Sequence, residues 1–461
     1  MRLLVLGADA AGMTAASHVR RELPAAEVVA IERGPYTSYS MCGIPYYVGQ
    51  EVDRASDLVV RTPEQHREAG ITVHLRTEAL AIDPGARRVR VRDLQSGAAR
   101  EEPYDALLYA VGAHPSLPTV AGAEEFGRVV HTLDEGERLR GELDALEGDI
   151  KRVVVVGAGY IGMELAEALV RRGFEATLLD RSSQVMRQLD PEMAEHVERI
   201  LIDFGVGVRL GEELREVRGH DGRCYEVVTD LGIYPAEGVV IAAGSRPNVD
   251  MAVEAGCELG TSGALLVDER MRTSVDGIWA AGDCVESVNL VHGGRRNVQL
   301  GTHANKQGRV AGIDLVSMLS GHGPGEATFP GHVGTAITKV CEWEIARTGL
   351  QEAEVQQAGI DYAAIAFTGT AKAGYLPDAG TVHVKMLAEA GTGRMLGAQF
   401  VGNTNVGKRI DVAATWCQLG VTVQQAQFLD LSYAPPFGGV WDLLQVGARK
   451  LTRKLGLSPA L

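Results

Sequence analysis

The chain has 461 residues, 45% of them apolar and 23% charged, and a formal net charge of −15. That is enough for two or three domains, each with its own core. The negative balance speaks against nucleic acid as a partner, because phosphate binding needs a basic surface, yet it allows an anionic cofactor held by local backbone N–H groups and a few arginines.

The first elements read as a nucleotide-binding unit. Leu3–Leu6 predicts a strand, Ala10–Leu23 a helix and Val28–Ile31 a second strand ending at Glu32. Between the first strand and the helix lies Gly7-Ala8-Asp9-Ala10-Ala11-Gly12. Gly7 permits a tight turn, Gly12 close helix–strand packing, and the helix N-terminus offers free N–H groups to a pyrophosphate. Glu32 falls where a carboxylate accepts the adenosine ribose hydroxyls. Asp9 stands in place of the middle glycine and weakens the match. A strand beginning at Arg2 leaves no room for a signal peptide, and no apolar run approaches the ~20 residues needed to cross a bilayer. Next comes Tyr36-Thr37-Ser38-Tyr39-Ser40-Met41-Cys42-Gly43-Ile44-Pro45-Tyr46-Tyr47, with one thiol and no second cysteine nearby. The residues after Cys42 predict a helix start whose dipole lowers the thiol pKa.

A second unit repeats the first without its defect. Lys151–Val156 predicts a strand, Tyr160–Arg172 a helix and Ala176–Leu179 a strand ending at Asp180, with Gly157, Gly159 and Gly162 in the loop. Asp180 favours a free ribose 2′-hydroxyl and hence NADH, while the adjacent Arg181 can pair with the 2′-phosphate of NADPH. Two such units suggest that one holds a flavin and the other delivers a hydride to it. Three further apolar runs stop at small residues, as a strand does beside a ligand: Leu107 to Ala110 and Gly112, Val239 to Gly244, and Ile278 to Gly282 and Asp283. Asp283 is the polar group expected to reach a sugar-like hydroxyl.

These pieces predict a discontinuous FAD-binding domain, residues 1–112 and 244–320, with an NAD(P)H-binding domain, 113–243, inserted in it. Gly321–Pro330 reads as a linker. Beyond it Thr335–Val340, Tyr362–Thr368, Thr381–Leu387 and Met395–Val401 alternate like strands, and Asn405–Leu419 like a helix. The fold class is α/β, two Rossmann-like domains followed by an α+β domain, 331–461. The six cysteines are scattered without a CxxC pair or metal-ligand spacing, so a reducing, cytoplasmic location and no metal are expected.

With these residues in view, the chain resembles the pyridine nucleotide–disulfide oxidoreductases along essentially its whole length. It is most similar to their single-cysteine branch, and there to the coenzyme A-disulfide reductases. The match rests on Cys42-Gly43-Ile44-Pro45-Tyr46-Tyr47, Gly282-Asp283-Cys284, Ala304-Asn305-Lys306-Gln307-Gly308-Arg309 and Tyr433-Ala434-Pro435-Pro436-Phe437. The resemblance implies FAD on the first loop, NADH or NADPH on the second, and a C-terminal domain that makes a homodimer. It implies Cys42 as the redox-active thiol and Tyr433 as a catalytic group aimed at the partner's cysteine. It places Thr14, His18, Arg21, Ser38 and His303 where the family contacts coenzyme A.

The chain also departs from its relatives. The two-cysteine branch needs a CxxxxC pair and a C-terminal His-Glu segment, both missing here. Peroxidases and oxidases of the single-cysteine branch carry a histidine in the first loop, where this chain has Ala10. The family's Gly-Tyr-Tyr-Pro motif is Gly374-Tyr375-Leu376-Pro377. Three functions follow as expectations. The first is reduction of a low-molecular-weight disulfide, persulfide or polysulfide through Cys42. The second is an NADH oxidase or peroxidase cycling through a Cys42 sulfenic acid. The third is a non-enzymatic, NADH-responsive flavoprotein.

Overall fold

A computed structural model describes residues 1–146, 148 and 151–458. The helices used below are α1 (Ala10–Glu22), α2 (Ile44–Val48), α3 (Tyr160–Arg171), α4 (Pro191–Phe204), α5 (Gly301–Leu319), α6 (Glu352–Gln357), α7 (Val406–Leu419) and α8 (Leu443–Lys454).

Two parallel five-stranded sheets share the order of four strands, while the fifth comes last in the chain in the first sheet and first in the second. In the first, strand Arg2–Leu6 lies between Glu27–Ile31 and Ala106–Tyr109, with Ile71–His74 and Ile278–Ala280 at the edges. In the second, Arg152–Val156 lies between Glu175–Asp180 and Gly238–Ile241, with Gly207–Leu210 and Gly127–Val129 outside. The central strands are continuous apolar runs because helices and loops cover both faces. Leu3, Leu4 and Val5 are all fully buried, as is Val155. One edge strand of the first sheet arrives from residues 278–280, after the second sheet has been completed.

The third sheet is antiparallel, in the order Ala336–Val340, Trp343–Gly349, Met395–Gly402, Thr381–Glu389, Tyr362–Thr370. The fold is therefore α/β in two Rossmann-like units plus an α+β unit. Strand Trp343–Gly349 and helix α8 are additions to the sequence reading. The segment 321–330 is not a loose linker: Gly325 N donates to the buried Asp314 carboxylate at 2.7 Å, and Phe329 is buried.

Helix α2, which follows Cys42, packs Ile44 and Val48 into the apolar cluster of the second unit, and that cluster continues to Val340, Ile345 and Val401 of the third sheet. The cysteine segment thus starts in the first unit and rests on the second. No helix among the described residues is long and apolar enough to cross a membrane.

Candidate active site

Each Gly loop is a place where backbone passes too close to backbone for a side chain. Gly7 has φ +93°, and a Cβ there would lie 2.2 Å from the Ala110 carbonyl oxygen; one on Gly12 would lie 2.0 Å from the Gly7 oxygen. The second loop repeats this, with 2.2 Å between a Cβ on Gly157 and the Ala242 oxygen, and 1.8 Å between one on Gly162 and the Gly157 oxygen. Gly112, Gly159 and Gly244 differ, since a Cβ on any of them meets nothing within 4 Å. They border open space at the C-terminal ends of the strands, where dinucleotides bind in such sheets. A dinucleotide fits both cradles on that geometry.

Two acids are held alike. Glu32 accepts from Ala8 N at 2.9 Å and Gly34 N at 2.7 Å. Asp180 accepts from Ala158 N and Ser182 N, both at 2.7 Å. Each carboxylate ties its Gly loop to the end of the next strand. Burial pushes the Glu32 carboxyl above its ordinary value. Gly282 N donates to Gln307 Oε1 at 2.8 Å, which sets the turn carrying Asp283. Burial pushes the Asp283 carboxyl up to about 6 with no compensating partner, so it is free to meet a ligand hydroxyl. A hollow of about 500 Å³ lies just past Asp180, lined by Arg181, Ser182, Ser183, Gln184 and Arg187.

Cys42 is exposed, in a short 3₁₀ turn (Met41–Gly43) that runs into α2. Enough protein still surrounds its sulfur that burial, followed by the carboxyls of Glu164 and Asp283, pushes the thiol up. The expected lowering by a helix start is therefore corrected: the turn is too short for a sizeable dipole, and three acids face the sulfur, the third being Asp9. Two of these acids escaped the sequence reading as site residues. Burial pushes Asp9 and Glu164 each up to about 7. Asp9 accepts from Tyr39 N at 3.2 Å, and Glu164 accepts from Thr338 Oγ1 at 2.5 Å. The available signals were an acid where a phosphate loop wants glycine, and a lone acid in the apolar first turns of α3. Tyr160 was also missed as a site residue; its hydroxyl is buried beside the second loop without a partner.

The residues matched to coenzyme A contacts fall in two groups. Thr14, His18 and Arg21 follow one another along α1, which packs against α5. Thr14 Oγ1 bonds Asn305 Oδ1 at 2.8 Å, and Arg21 donates to His18 Nδ1 at 2.8 Å. Arg309 of α5 adds a further positive charge beside His18, a residue legible only as part of a motif. Ser38 stands apart from that stripe, in a left-handed backbone conformation (φ +49°), with its hydroxyl 2.9 Å from His66 Nε2. His303, at the start of α5, is buried, its Nδ1 has no hydrogen-bond partner, and burial pushes it down to about 4.

Tyr433 is half exposed, in irregular structure between α7 and α8, and Phe428, Phe437, Val440 and Trp441 of the same stretch are exposed too.

Residues 1–308 match the family model for pyridine nucleotide-disulphide oxidoreductases, and residues 335–443 match the model for that family's dimerisation domain. The chain is 36% identical to an NAD(P)H coenzyme A polysulfide/persulfide reductase of Pyrococcus horikoshii, over 98% of each chain. It is 32% identical to an NADH oxidase of Methanocaldococcus jannaschii, over 99% of each. Among solved structures, an NAD-dependent persulfide reductase from A. fulgidus superposes with a TM-score of 0.93 at 36% identity, covering 99% of this chain and 84% of that one.

Proposed function

The chain belongs to the pyridine nucleotide-disulphide oxidoreductase family, and we propose that it reduces a low-molecular-weight disulfide, persulfide or polysulfide at Cys42 with electrons from NADH or NADPH. The observation that carries this reading is the placement of one exposed thiol between two dinucleotide cradles, among acids poised near neutrality. FAD would be held by Gly7, Gly12, Glu32, Ala110, Gly112, Gly282 and Asp283, and the nicotinamide dinucleotide by Gly157, Gly159, Gly162, Asp180 and Gly244. When bound, these groups supply hydride transfer and relay an electron pair to sulfur. In domain terms, residues 1–112 and 244–320 would serve the flavin, 113–243 the nicotinamide dinucleotide, and 331–461 dimerisation.

The protein's own part is sulfur and proton handling. Cys42, as thiolate, attacks the substrate S–S bond, forming a mixed disulfide and releasing one thiolate; two electrons then cleave the mixed disulfide and return Cys42 to thiolate with release of the second. A thiolate that forms against raised pKa is scarce but strongly nucleophilic. Asp9 and Glu164, each near 7, can hold or release the protons these steps need. The α1 stripe of Thr14, His18 and Arg21, with Ser38 and His303, would hold an anionic thiol carrier such as coenzyme A. The six free cysteines suit a reducing cytoplasm. The test is anaerobic addition of NADH to the yellow protein: the flavin should bleach, and a disulfide or polysulfide should restore the colour with stoichiometric thiol or sulfide released. Recovery only with oxygen or peroxide would favour the oxidase reading instead, despite Ala10.

We infer a homodimer, supported by the matched dimerisation region and by its exposed apolar side chains Phe428, Phe437 and Val440. In the dimer, Tyr433 of the partner subunit would give a proton to the leaving thiolate. Tyr433→Phe is expected to keep the dimer by light scattering and flavin reduction by NADH, and to slow thiol release about a hundredfold. Unchanged turnover would reduce Tyr433 to interface packing.

A further inference from the structure

The loop that lines the hollow beyond Asp180 is anchored from two sides. At its start, Ser182 N donates to Asp180 and Gly211 N donates to the Ser182 oxygen at 2.7 Å. In the middle, Met186 is buried in a left-handed conformation (φ +44°), with its N–H 2.8 Å from the Ala158 oxygen in the second Gly loop. A non-glycine residue holds that conformation only where its surroundings over-determine it.

The far end is held by the third sheet and α6. Arg347, buried on strand Trp343–Gly349, donates to the Gln188 oxygen at 2.9 Å while Glu354 fixes its guanidinium at 3.0 Å. Gln351, its amide assigned in the orientation that satisfies both of its ends, donates to the oxygens of Gln188 at 2.9 Å and Arg187 at 3.2 Å. Gln399 exchanges two hydrogen bonds with Asp190, at 2.8 and 2.7 Å. Arg187 therefore sits between Met186, fixed by its own unit, and Gln188, fixed by the C-terminal unit.

We propose that Arg347 and Gln351 are positioning residues that set the dinucleotide preference, by aiming Arg187 at the 2′-substituent of an adenosine ribose lying over Asp180. This rests on the reading that the second cradle holds NAD(P)H. Asp180 accepts from two backbone donors and keeps acceptor capacity for a ribose 2′-hydroxyl, which favours NADH, whereas a 2′-phosphate needs a cation in one place. Discrimination between NADPH and NADH thus depends on contacts from outside the dinucleotide-binding unit.

The test uses the flavin-loaded enzyme and calorimetric titration with NADP+ and NAD+, beside steady-state kinetics. Arg347→Gln and, separately, Gln351→Ser are expected to raise the Kd for NADP+ about tenfold, the scale of one charge-assisted hydrogen bond, and that for NAD+ less than about twofold. Serine keeps the N-cap of α6 but is too short to reach the loop, so this variant serves should Arg347→Gln misfold. The KM for NADPH should rise with its Kd, with kcat and the alkylation rate of Cys42 unchanged. Equal loss for both dinucleotides, or no loss, overturns the proposal. Arg187→Ala separates the two layers. If it changes the NADP+/NAD+ ratio while Gln351→Ser does not, the anchoring idea fails and the cradle reading stands. If Arg187→Ala leaves the ratio unchanged, the hollow is not the place of the 2′-phosphate and the reading beneath fails.

Discussion

Cys42→Ser is expected to lower NADH-dependent disulfide or polysulfide reduction by about a thousandfold or more, the scale on which loss of a covalent nucleophile is felt. FAD binding and flavin reduction by NADH should survive, because the two cradles rest on close backbone approaches at Gly7, Gly12, Gly157 and Gly162, which a serine at position 42 leaves in place. Slow oxygen-dependent NADH oxidation should survive too, since reduced flavin reacts with oxygen without a sulfur. Stopped-flow bleaching alongside thiol release separates the two half-reactions. Wild-type turnover in the serine variant would make Cys42 a bystander; loss of a fast oxidase activity alone, with no thiol product ever seen, would install the sulfenic-acid reading. The same thiol gives a pH signature. Burial and the neighbouring acids hold it above the ordinary thiol value, so alkylation of Cys42 in the wild-type chain should still be accelerating with pH where an ordinary thiol has levelled off.

The two nucleotide units were legible because their chemistry is local. Gly7 and Gly157 are demanded by left-handed turns beside a carbonyl, and buried parallel strands show as unbroken apolar runs, so predicted strands begin and end within one residue of Arg2–Leu6 and Arg152–Val156. What failed to show was whatever depends on a neighbour from elsewhere in the chain. Strand Trp343–Gly349 carries glutamate and arginine yet is largely buried, because Arg347 spends its charge on Gln188 and Glu354, so no alternation marks it. Glu164 reads as a surface acid on a helix until Thr338 and Cys42 are placed beside it. Lys385 reads as the solvent side of an alternating strand and is 1% exposed.

Lys385→Met is expected to destabilise the holoenzyme by about 3 kcal/mol, the lower end of the cost of breaking a buried ion pair from one side. The ammonium lies 3.0 Å from Asp190 and bonds Glu192 and Glu352 as well, joining the third sheet to the N-terminus of α4 and to α6. Glu192 is half exposed and its share is screened by water, which keeps the expected cost low in the range. Methionine fills the stem but leaves Asp190, which is 3% exposed, beside Glu352 without a counter-charge. The sign with pH follows from the shifts. Burial works to lower the Lys385 ammonium, but the three carboxylates outweigh it and the pKa stands above the ordinary lysine value, so its contribution is complete at neutral pH and is lost only as pH rises through that raised value. Burial works to raise Glu352, yet Lys385 and Tyr362 hold it below the ordinary carboxylate range, so its contribution persists until pH falls through that lowered value. Wild-type denaturant midpoints should therefore be nearly level from about pH 6 to 9 as far as this network is concerned. In Lys385→Met the carboxylates repel one another, and protonating one relieves the cost, so the gap to wild type should narrow as pH falls towards about 5. A gap below about 1 kcal/mol at neutral pH would show that water reaches the carboxylates and that the joint between the second and third units is held by its apolar contacts alone.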